Sequence, residues 1–458
     1  MRQLSDLRPY QQRIATALYD HDEHLCVLRP GGGKTVAALT AIEELKRDQV
    51  IRHALVVAPK RVARVVWPDE IESWAHVNQL RYVILAGTPE QRTAQLNLNK
   101  LSRDVTIVGI DILPWLLEQI WKRPADDPIF DLLVIDEISR LRSPKGERAK
   151  QLVKMADRWR MVWGLTGTLR PNSAQDLFMP ARVVTRGKLW GNSFYQWKKK
   201  NFYQTDYNGY EWAALPGAED RLNAEIAPHI ATVAEGELIQ PEPTIIFDYV
   251  ELPGDARDKY TTMHRKLLTQ TGGKDVIARS AAIATGKLAQ IANGFVYDNK
   301  RIAEPIHSAK LEWLADLIEN ATSPTLLIYE FIEDLDALRD ATGPELPCLG
   351  PGISDAQAAK YIADWNARRL SFMALHPASG GHGLNLQHGG ADMAWLSPTW
   401  SSEYWEQCIA RLNRSGQQRQ VMVRVCVARG TVDEMKLNRV HHKMTAQAAF
   451  EAYLASRI

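Results

Sequence analysis

The residues with the most specific chemistry form a glycine-rich turn, GGGKT, between an apolar run and a helical stretch. Glycines let backbone N–H groups converge on anionic oxygens, and the N-terminus of the following helix adds its dipole. In such a turn, Lys34 neutralises the β/γ-phosphates of a nucleoside triphosphate and the Thr35 hydroxyl ligates Mg²⁺. Gly31 and Gly33 complete only the shorter GxGKT pattern, because Leu28 stands where the longer consensus has glycine. An ordinary glycine turn before a helix is the alternative interpretation.

A pair of acids, Asp136 and Glu137, ends a second apolar run further along the chain. In a parallel α/β sheet, ligand sites gather at the carboxyl ends of strands, so the glycine turn and the acids would meet at one edge. Asp136 would hold Mg²⁺ directly or through water, and Glu137 would orient and deprotonate the attacking water. A solvated acidic turn is the alternative, and the glycine turn upstream argues against it.

A third pattern, QxxxRxxRxGQ, runs from Gln407 to Gln417 and places Arg411 and Arg414 three residues apart. On a helix this spacing puts both guanidinium groups on one face, where they suit bidentate pairing with phosphate oxygens. We expect them to act as arginine fingers if the two halves of the chain close on each other. Taken alone, the segment is better explained by a solvated helix face.

The elements that must position these residues alternate between short β-rich runs and helical stretches. This alternation predicts βαβ units and mostly parallel sheets with helices on both faces. The predicted strands are Leu25–Leu28, His53–Val57, Tyr82–Ala86, Val105–Gly109, Leu132–Ile135, Met161–Leu165, Thr325–Glu330, Phe372–His376, Met393–Leu396 and Val421–Val427. The predicted helices are Thr35–Lys46, Val66–Ala75, Ala309–Glu319, Ala356–Arg368 and Ser402–Leu412.

The length of 458 residues predicts two domains. The prolines of QPEPT at 240–244 indicate a boundary near 230–245, which gives a first domain at 1–235 and a second at 236–458. With 45% hydrophobic and 24% charged residues, the chain is neither disordered, nor collagenous, nor a small disulfide scaffold. Four scattered cysteines argue against a zinc ribbon and for a reduced, intracellular protein. The apolar runs are far shorter than a membrane span, and the net charge of +2 is too small to indicate a partner.

An insertion at about 186–212 interrupts the alternation with aromatic residues beside Lys198–Lys200. Such residues can stack on unpaired bases while lysines hold phosphates. We favour the alternative, a helical protrusion whose aromatic rings pack on the first domain and whose lysines are solvated. The aromatic residues concerned are Trp190, Phe194, Tyr195, Trp197, Phe202 and Tyr203.

In this order along nearly the whole chain, the patterns resemble the superfamily-two helicase-like ATPases and, within them, the Swi/Snf family of double-stranded DNA translocases. The third pattern is the most discriminating, because RNA-unwinding relatives usually carry HRxGR at that point. The further matching segments are Leu7–Gln11 (adenine-reading segment), Val56–Lys60 with Trp67, Glu70 and Trp74 (motif Ia), Leu165–Thr168 (motif III), Leu326–Glu330 (motif IV), Gly380–Leu386 (motif V) and Ser397–Trp400 (the tryptophan segment after it).

The resemblance implies two tandem RecA-like lobes, each a mostly parallel sheet flanked by helices, with an ATP cleft between them. It implies that Tyr10 and Gln11 contact the base, and it adds Gly383 and Gln407 to the nucleotide site. The residues that it places on DNA are Lys60, Arg61, Arg64, Thr168 and Trp400. From the sequence alone, a solvated basic face explains the first three of these equally well.

The sequence departs from the family pattern in four places. Ser139 stands where motif II usually ends in the histidine that helps couple hydrolysis to movement, so we expect weaker or differently built coupling. Leu169 replaces the usual proline of motif III, and Ser401–Ser402 replaces Asn-Pro after the tryptophan. The arginine-rich segment that usually precedes the second lobe is replaced at 230–236.

The implied function is a DNA-stimulated ATPase that uses ATP and Mg²⁺ and tracks along duplex DNA through sequence-independent phosphate contacts. The likeness is to compact motors of bacteria and tailed phages. It implies a cytoplasmic location in a bacterial or phage-infected cell and no membrane partner, and it leaves open a nuclease, replication or recombination partner. The alternatives are a strand-separating helicase and a non-catalytic, ATP-gated DNA-binding or recruitment module.

Overall fold

The structure, a computed structural model, divides into two compact units. The N-terminal unit comprises Met1–Ile239 and Thr445–Ile458, and the C-terminal unit comprises Gln240–Met444. The residues that the structure describes are 1–97, 103–124, 129–170, 173–205, 212–233, 237, 242–269, 276–298, 300–380, 384–414 and 416–455, with the backbone alone at 266–269, 276–284, 380 and 444–455. Among the described helices, none combines the length and apolarity needed to cross a lipid bilayer.

The N-terminal unit is an α/β structure. Its strands are β1 Glu23–Val27, β2 Ala54–Ala58, β3 Tyr82–Leu85, β4 Val105–Gly109, β5 Leu132–Asp136, β6 Met161–Thr166, β7 Phe202–Gln204, β8 Trp212–Ala214 and β9 Ile230–Ala231. Its helices are α1 Pro9–Asp20, α2 Lys34–Arg47, α3 Trp67–Ser73, α4 Pro89–Asn97, α5 Leu113–Trp121, α6 Glu147–Lys154, α7 Phe178–Val184, α8 Phe194–Asn201 and α9 Ala218–Ile226.

Seven of these strands form a parallel sheet in the order β3-β4-β2-β5-β6-β1-β9. The strands β2, β4, β5 and β6 are buried along their whole length, which explains their continuous apolar sequences: helices cover both faces. Because all strands run the same way, the residues that follow β1, β2 and β5 lie at one edge of the sheet. This edge receives the glycine turn, the basic segment of motif Ia and the acid pair.

The C-terminal unit repeats the architecture. Its strands are β10 Thr244–Val250, β11 Phe295–Tyr297, β12 Ala303–Pro305, β13 Thr325–Ile328, β14 Cys348–Leu349, β15 Phe372–Leu375, β16 Asp392–Trp395 and β17 Met422–Ala428. The helices that follow residue 250 are α10 Gly254–Thr269, α11 Val276–Asn293, α12 Ala309–Glu319, α13 Ile332–Thr342, α14 Asp355–Asn366, α15 Pro377–Gly380, α16 Ser402–Leu412 and α17 Val432–Ala455. Six strands form a second parallel sheet in the order β10-β17-β16-β13-β15-β14.

The predicted fold class is confirmed, since every strand pairing described within the two large sheets is parallel. The predicted strands lie within two residues of the observed ones. The predicted helix Val66–Ala75 is observed as α3, Trp67–Ser73, and a π-helical turn that was not predicted, Val62–Val66, leads directly into it. The edge strand β10 was not predicted.

The insertion places most of its aromatic rings in the core of the N-terminal unit, as we favoured. Trp197 is buried, and its ring centroid lies 5.0 Å from that of Phe178 and 5.4 Å from those of Trp190 and Phe202. Phe194 packs against the same cluster. Among the described residues of the insertion, Tyr195 and Tyr203 are the exposed aromatic rings left to the base-stacking alternative.

Candidate functional site

The glycine turn lies directly before α2, in the position that the sequence predicts. Gly31 and Gly33 have positive φ angles, +83° and +86°. At Gly33, which caps the helix, an added Cβ would lie 2.1 Å from the Gln11 Nε2 atom, so the position excludes any other residue type without rearrangement. Lys34 begins the helix, and its Nζ atom donates a hydrogen bond to the Leu28 carbonyl at 3.0 Å.

Two side chains of α1 brace this turn. The Tyr10 hydroxyl and the Gln11 Nε2 atom each donate to the Gly32 carbonyl at 3.0 Å. The Gln11 Oε1 atom accepts from the Arg8 N–H at 2.9 Å, so both ends of the amide are engaged. Tyr10 and Gln11 are buried, and burial raises the pKa of the Tyr10 hydroxyl. These contacts fix the shape of the turn, and the base contact implied for both residues stays a prediction.

The acid pair lies at the carboxyl end of β5. Asp136 is the last residue of the strand and is 5% exposed. Its Oδ2 atom accepts a hydrogen bond from Trp67 Nε1 at 3.0 Å, and its Oδ1 atom accepts one from the Glu137 N–H at 3.0 Å. Glu137 follows in the left-handed conformation, with φ of +54°, which costs a non-glycine residue about 1–2 kcal/mol. Strain of this kind concentrates at functional sites.

The electrostatics of the acid pair suit a cation. Burial first, and the Glu137 charge second, raise the pKa of Asp136 to about 6, against the opposing effects of Lys34 and the Trp67 hydrogen bond. A buried carboxylate that its surroundings compensate incompletely favours a positive ligand. The Thr35 hydroxyl and the Asp136 carboxylate are oxygen donors of the kind that Mg²⁺ takes, together with water and substrate phosphates. Within the described residues, no group of three or more His, Cys, Asp or Glu side chains could hold a metal ion.

The basic segment of motif Ia follows β2 at the same edge of the sheet. Lys60 and Arg64 are exposed, and Arg61 is half-buried. A π-helical turn, Val62–Val66, carries Arg64, and Arg61 caps it. The motif III residue Thr168 is buried: its carbonyl accepts from the Thr166 hydroxyl at 2.7 Å, and its own hydroxyl accepts from the Arg170 N–H at 3.3 Å.

The arginine pair differs from the prediction in its backbone. Helix α16 ends at Leu412, so Arg411 lies in its last turn and Arg414 lies beyond it; the two do not share a helix face. The residue after the helix, Asn413, has left the helical conformation, with ψ of 78°. The guanidinium groups nevertheless converge, because Arg411 Nη1 and Arg414 Nη1 both donate to the Leu384 carbonyl, at 3.5 and 3.3 Å.

The remaining predicted residues of the C-terminal unit are placed as follows. Gln407 is buried on α16, and its Nε2 atom donates to Glu403 at 3.3 Å. Gly383 lies outside the described residues. Trp400 is half-buried, and the cationic groups of Lys436 and Arg439 each lie 6.0 Å from its ring centroid.

A buried ionic network in the C-terminal unit was not predicted. Lys310 Nζ donates to Asp433 Oδ2 at 2.6 Å and to Asn293 Oδ1 at 2.8 Å. Asn293 Nδ2 in turn donates to Asp334 at 3.0 Å. The available signal was a lysine on the apolar side of α12, although sequence spacing does not identify its partner on α17.

The chain is similar in sequence and in structure to known proteins. Residues 10–279 match the SNF2-related domain family. The chain is 31% identical to putative protein p41 of Acyrthosiphon pisum secondary endosymbiont phage 1, with 96% of each chain covered. It is 23% identical to the CHD3-type chromatin-remodeling factor PICKLE of Arabidopsis thaliana over 91% of its own length, and it spans 32% of that relative. The Sulfolobus solfataricus SWI2/SNF2 ATPase core in complex with dsDNA is a structural neighbour, with a TM-score of 0.44, 20% identity, and 98% of this chain and 94% of that chain covered.

Proposed function

This chain belongs to the SNF2-related domain family, and we propose that it couples the hydrolysis of ATP to movement along duplex DNA. The observation that carries the proposal is the convergence of a glycine turn and an acid pair at one edge of a parallel sheet. Lys34, at the start of α2, acts electrostatically on the buried Asp136 at the end of β5. This pairing of a phosphate-binding turn with a buried carboxylate is what nucleoside triphosphate hydrolysis requires.

In the N-terminal unit, the glycine turn binds the triphosphate through its backbone N–H groups, and Lys34 neutralises the β/γ-phosphates. Mg²⁺, held by the Thr35 hydroxyl and the Asp136 carboxylate, would neutralise further charge on these phosphates. Glu137 orients the attacking water and accepts its proton. Tyr10 and Gln11 keep the turn in shape through the Gly32 carbonyl, and we assign both residues to contact with the base.

In the C-terminal unit, we assign the buried Arg411 and the neighbouring Arg414 to the transferred phosphate. Their guanidinium groups both bond to one carbonyl, that of Leu384, and two fixed guanidiniums stabilise the transition-state charge on the transferred phosphoryl group. Gly383 and Gln407 complete the assignment as nucleotide-binding residues.

The DNA contacts that we propose come from the basic segment after β2. Lys60 and Arg64 are exposed beside the edge that carries the acid pair. Their cationic groups suit phosphate oxygens, which makes binding independent of base sequence and weaker at high salt. Thr168 and Trp400 are the further DNA-binding residues of the proposal. Similarity to a chromatin-remodeling factor supports a DNA partner, and we propose that this partner is duplex DNA.

The test is phosphate release measured with duplex DNA, single-stranded DNA or RNA. We expect a severalfold or greater stimulation by duplex DNA and a loss of activity in Lys34→Ala, because the triphosphate loses its main countercharge. Lys122→Ala is the matched control, since the Lys122 ammonium is exposed and pairs with the exposed Glu118 on α5, 2.7 Å away. Equal rates with all three nucleic acids would contradict the motor and favour the ATP-gated module.

Movement and strand separation are distinguished by two displacement assays. A motor that tracks along duplex DNA displaces the third strand of a triplex in an ATP-dependent manner and leaves a forked duplex intact. ATP-dependent unwinding of the fork would favour the strand-separating helicase instead. Both assays use the Lys34→Ala protein as the blank.

A further inference from the structure

The buried indole of Trp67 makes a contact that the roles above do not use. Its Nε1–H group donates to the Asp136 Oδ2 atom at 3.0 Å. Trp67 is 0% exposed, so water does not compete for the hydrogen bond. A hydrogen bond to an ionised carboxylate is roughly twice as strong as one between neutral groups. The indole therefore restrains the carboxylate that the proposed function assigns to Mg²⁺.

The same residue closes the turn that carries the basic segment. The Trp67 backbone N–H donates to the Val62 carbonyl, which is the bond that defines the π-helical turn Val62–Val66. π-Helical turns are rare and are frequent at functional sites. Arg64 lies on this turn and is exposed, whereas Trp67 at its end is buried. Trp67 thus connects the turn that carries the exposed Arg64 to the buried Asp136. Its backbone N–H bonds to the turn, and its ring N–H bonds to the carboxylate.

The Trp67 side chain combines an apolar ring with a polar N–H group. The ring packs in a cluster of buried apolar residues, and the N–H group bonds to a carboxylate. A buried indole N–H gains from an acceptor, and a second tryptophan of the unit uses a backbone carbonyl. Trp163, also 0% exposed, donates to the His21 backbone carbonyl at 3.0 Å. Trp67 uses a carboxylate of the acid pair instead.

We propose that Trp67 is the positioning residue that connects the basic turn to the acid pair. It holds the Asp136 carboxylate in place for the Mg²⁺-bound nucleotide, and when DNA displaces the basic turn, Trp67 transmits this displacement to the carboxylate. This inference rests on the proposed function. Hydrogen-bond partners of metal-binding carboxylates contribute about 10- to 100-fold to metal affinity. Because coupling between two sites is reciprocal, DNA must also change the affinity for the Mg²⁺-bound nucleotide through the same contact.

Binding of ADP with Mg²⁺, measured by calorimetry in the presence and absence of duplex DNA, tests both halves of the proposal. The variants are Trp67→Phe and a chain with benzothienylalanine at position 67, which keeps the bicyclic ring and lacks the N–H. Trp163→Phe is the matched control, since it removes a buried indole hydrogen bond of equal length from the same unit. Circular dichroism melts establish that each protein is folded at the assay temperature, and the benzothienylalanine protein serves if Trp67→Phe is not.

We expect the affinity for Mg²⁺-bound ADP to fall at least about tenfold in both Trp67 variants and to stay near wild type in Trp163→Phe. We also expect the factor by which duplex DNA changes this affinity to approach one in the Trp67 variants. Wild-type affinity in a folded Trp67 variant, or equal losses in Trp67→Phe and Trp163→Phe, would overturn the positioning role. A DNA effect that survives loss of the indole N–H, or is missing from the wild type, would overturn the link. Because ADP binding requires no hydrolysis, failure of the proposed ATPase activity is recognised separately, by phosphate release.

Discussion

Replacement of Gly33 by alanine is expected to lower the free energy of unfolding by more than the cost of the backbone conformation alone. The φ angle of +86° costs a non-glycine residue about 1–2 kcal/mol. The new Cβ would also lie 2.1 Å from Gln11 Nε2, so the amide must move and lose its bonds to the Gly32 carbonyl and the Arg8 N–H. At about 1 kcal/mol for each bond, the free energy of unfolding should fall by about 3–4 kcal/mol in all.

Two further proteins isolate the contribution of Gln11. Gly217 also has a positive φ, +71°, and also caps a helix of the N-terminal unit, α9, but an added Cβ meets nothing within 4 Å. Gly217→Ala should therefore cost only the backbone term, about 1–2 kcal/mol. In a Gln11→Ala background the obstruction is gone, and Gly33→Ala should again cost only that term.

Urea denaturation followed by far-UV circular dichroism measures these differences, and tryptophan fluorescence checks that both probes report the same transition. The double-mutant cycle of Gly33 and Gln11 should give a coupling of about 2 kcal/mol. Equal losses in Gly33→Ala and Gly217→Ala, or no relief in the Gln11→Ala background, would refute the argument from steric contact.

Two other predictions concern stability. Lys310→Met leaves the Asp433 carboxylate buried without its cation and should lower the free energy of unfolding by about 3–5 kcal/mol. Arg424→Met breaks the half-exposed pair with Asp248 and should lower it by about 1 kcal/mol or less. Equal losses in urea denaturation would contradict the role of burial. Burial lowers the pKa of His24 from 6.5 to about 3, so below pH 6.5 the unfolded chain binds a proton that the folded chain does not. Through this group alone, the free energy of unfolding should fall by about 1.4 kcal/mol per pH unit between pH 6 and 4. His24→Gln should reduce the slope by that amount, and an unchanged slope would assign the acid sensitivity to other groups.

The central strands of both sheets could be predicted because parallel strands buried on both faces have continuous apolar sequences. The run LLVI of β5 and the run ALVVA of β2 are of this kind, and both are buried throughout. Strand β10, Thr244–Val250, lies at a sheet edge, alternates in exposure and follows the prolines that marked the domain boundary. Its β-branched and aromatic residues are typical of a strand, but the prolines before it indicated a domain boundary, and no strand was predicted there.

The sequence could predict the part of the candidate site that follows from the parallel direction of the strands. The parallel-edge rule brings the glycine turn and the acid pair together, and the order of the motifs identified the family, which the match over residues 10–279 confirms. Contacts between side chains distant in sequence are beyond such reasoning. The Trp67–Asp136 bond joins residues 69 positions apart, and the convergence of Arg411 and Arg414 on one carbonyl depends on where α16 ends.

The two units treat buried charge differently, and the difference agrees with the roles that we propose for the two carboxylates. In the C-terminal unit, Lys310 and Asp433 meet at 2.6 Å, and the carboxylate also accepts from the Ala428 N–H at 3.1 Å, so the pair holds α12 to the start of α17. Asp136 has Lys34 near it, yet burial and the Glu137 charge still raise its pKa to about 6. Its environment therefore leaves the carboxylate incompletely compensated until a cation arrives. Arrival of a cation with the nucleotide would relieve that cost, and for this reason we expect the conformational response of the N-terminal unit to begin at the acid pair.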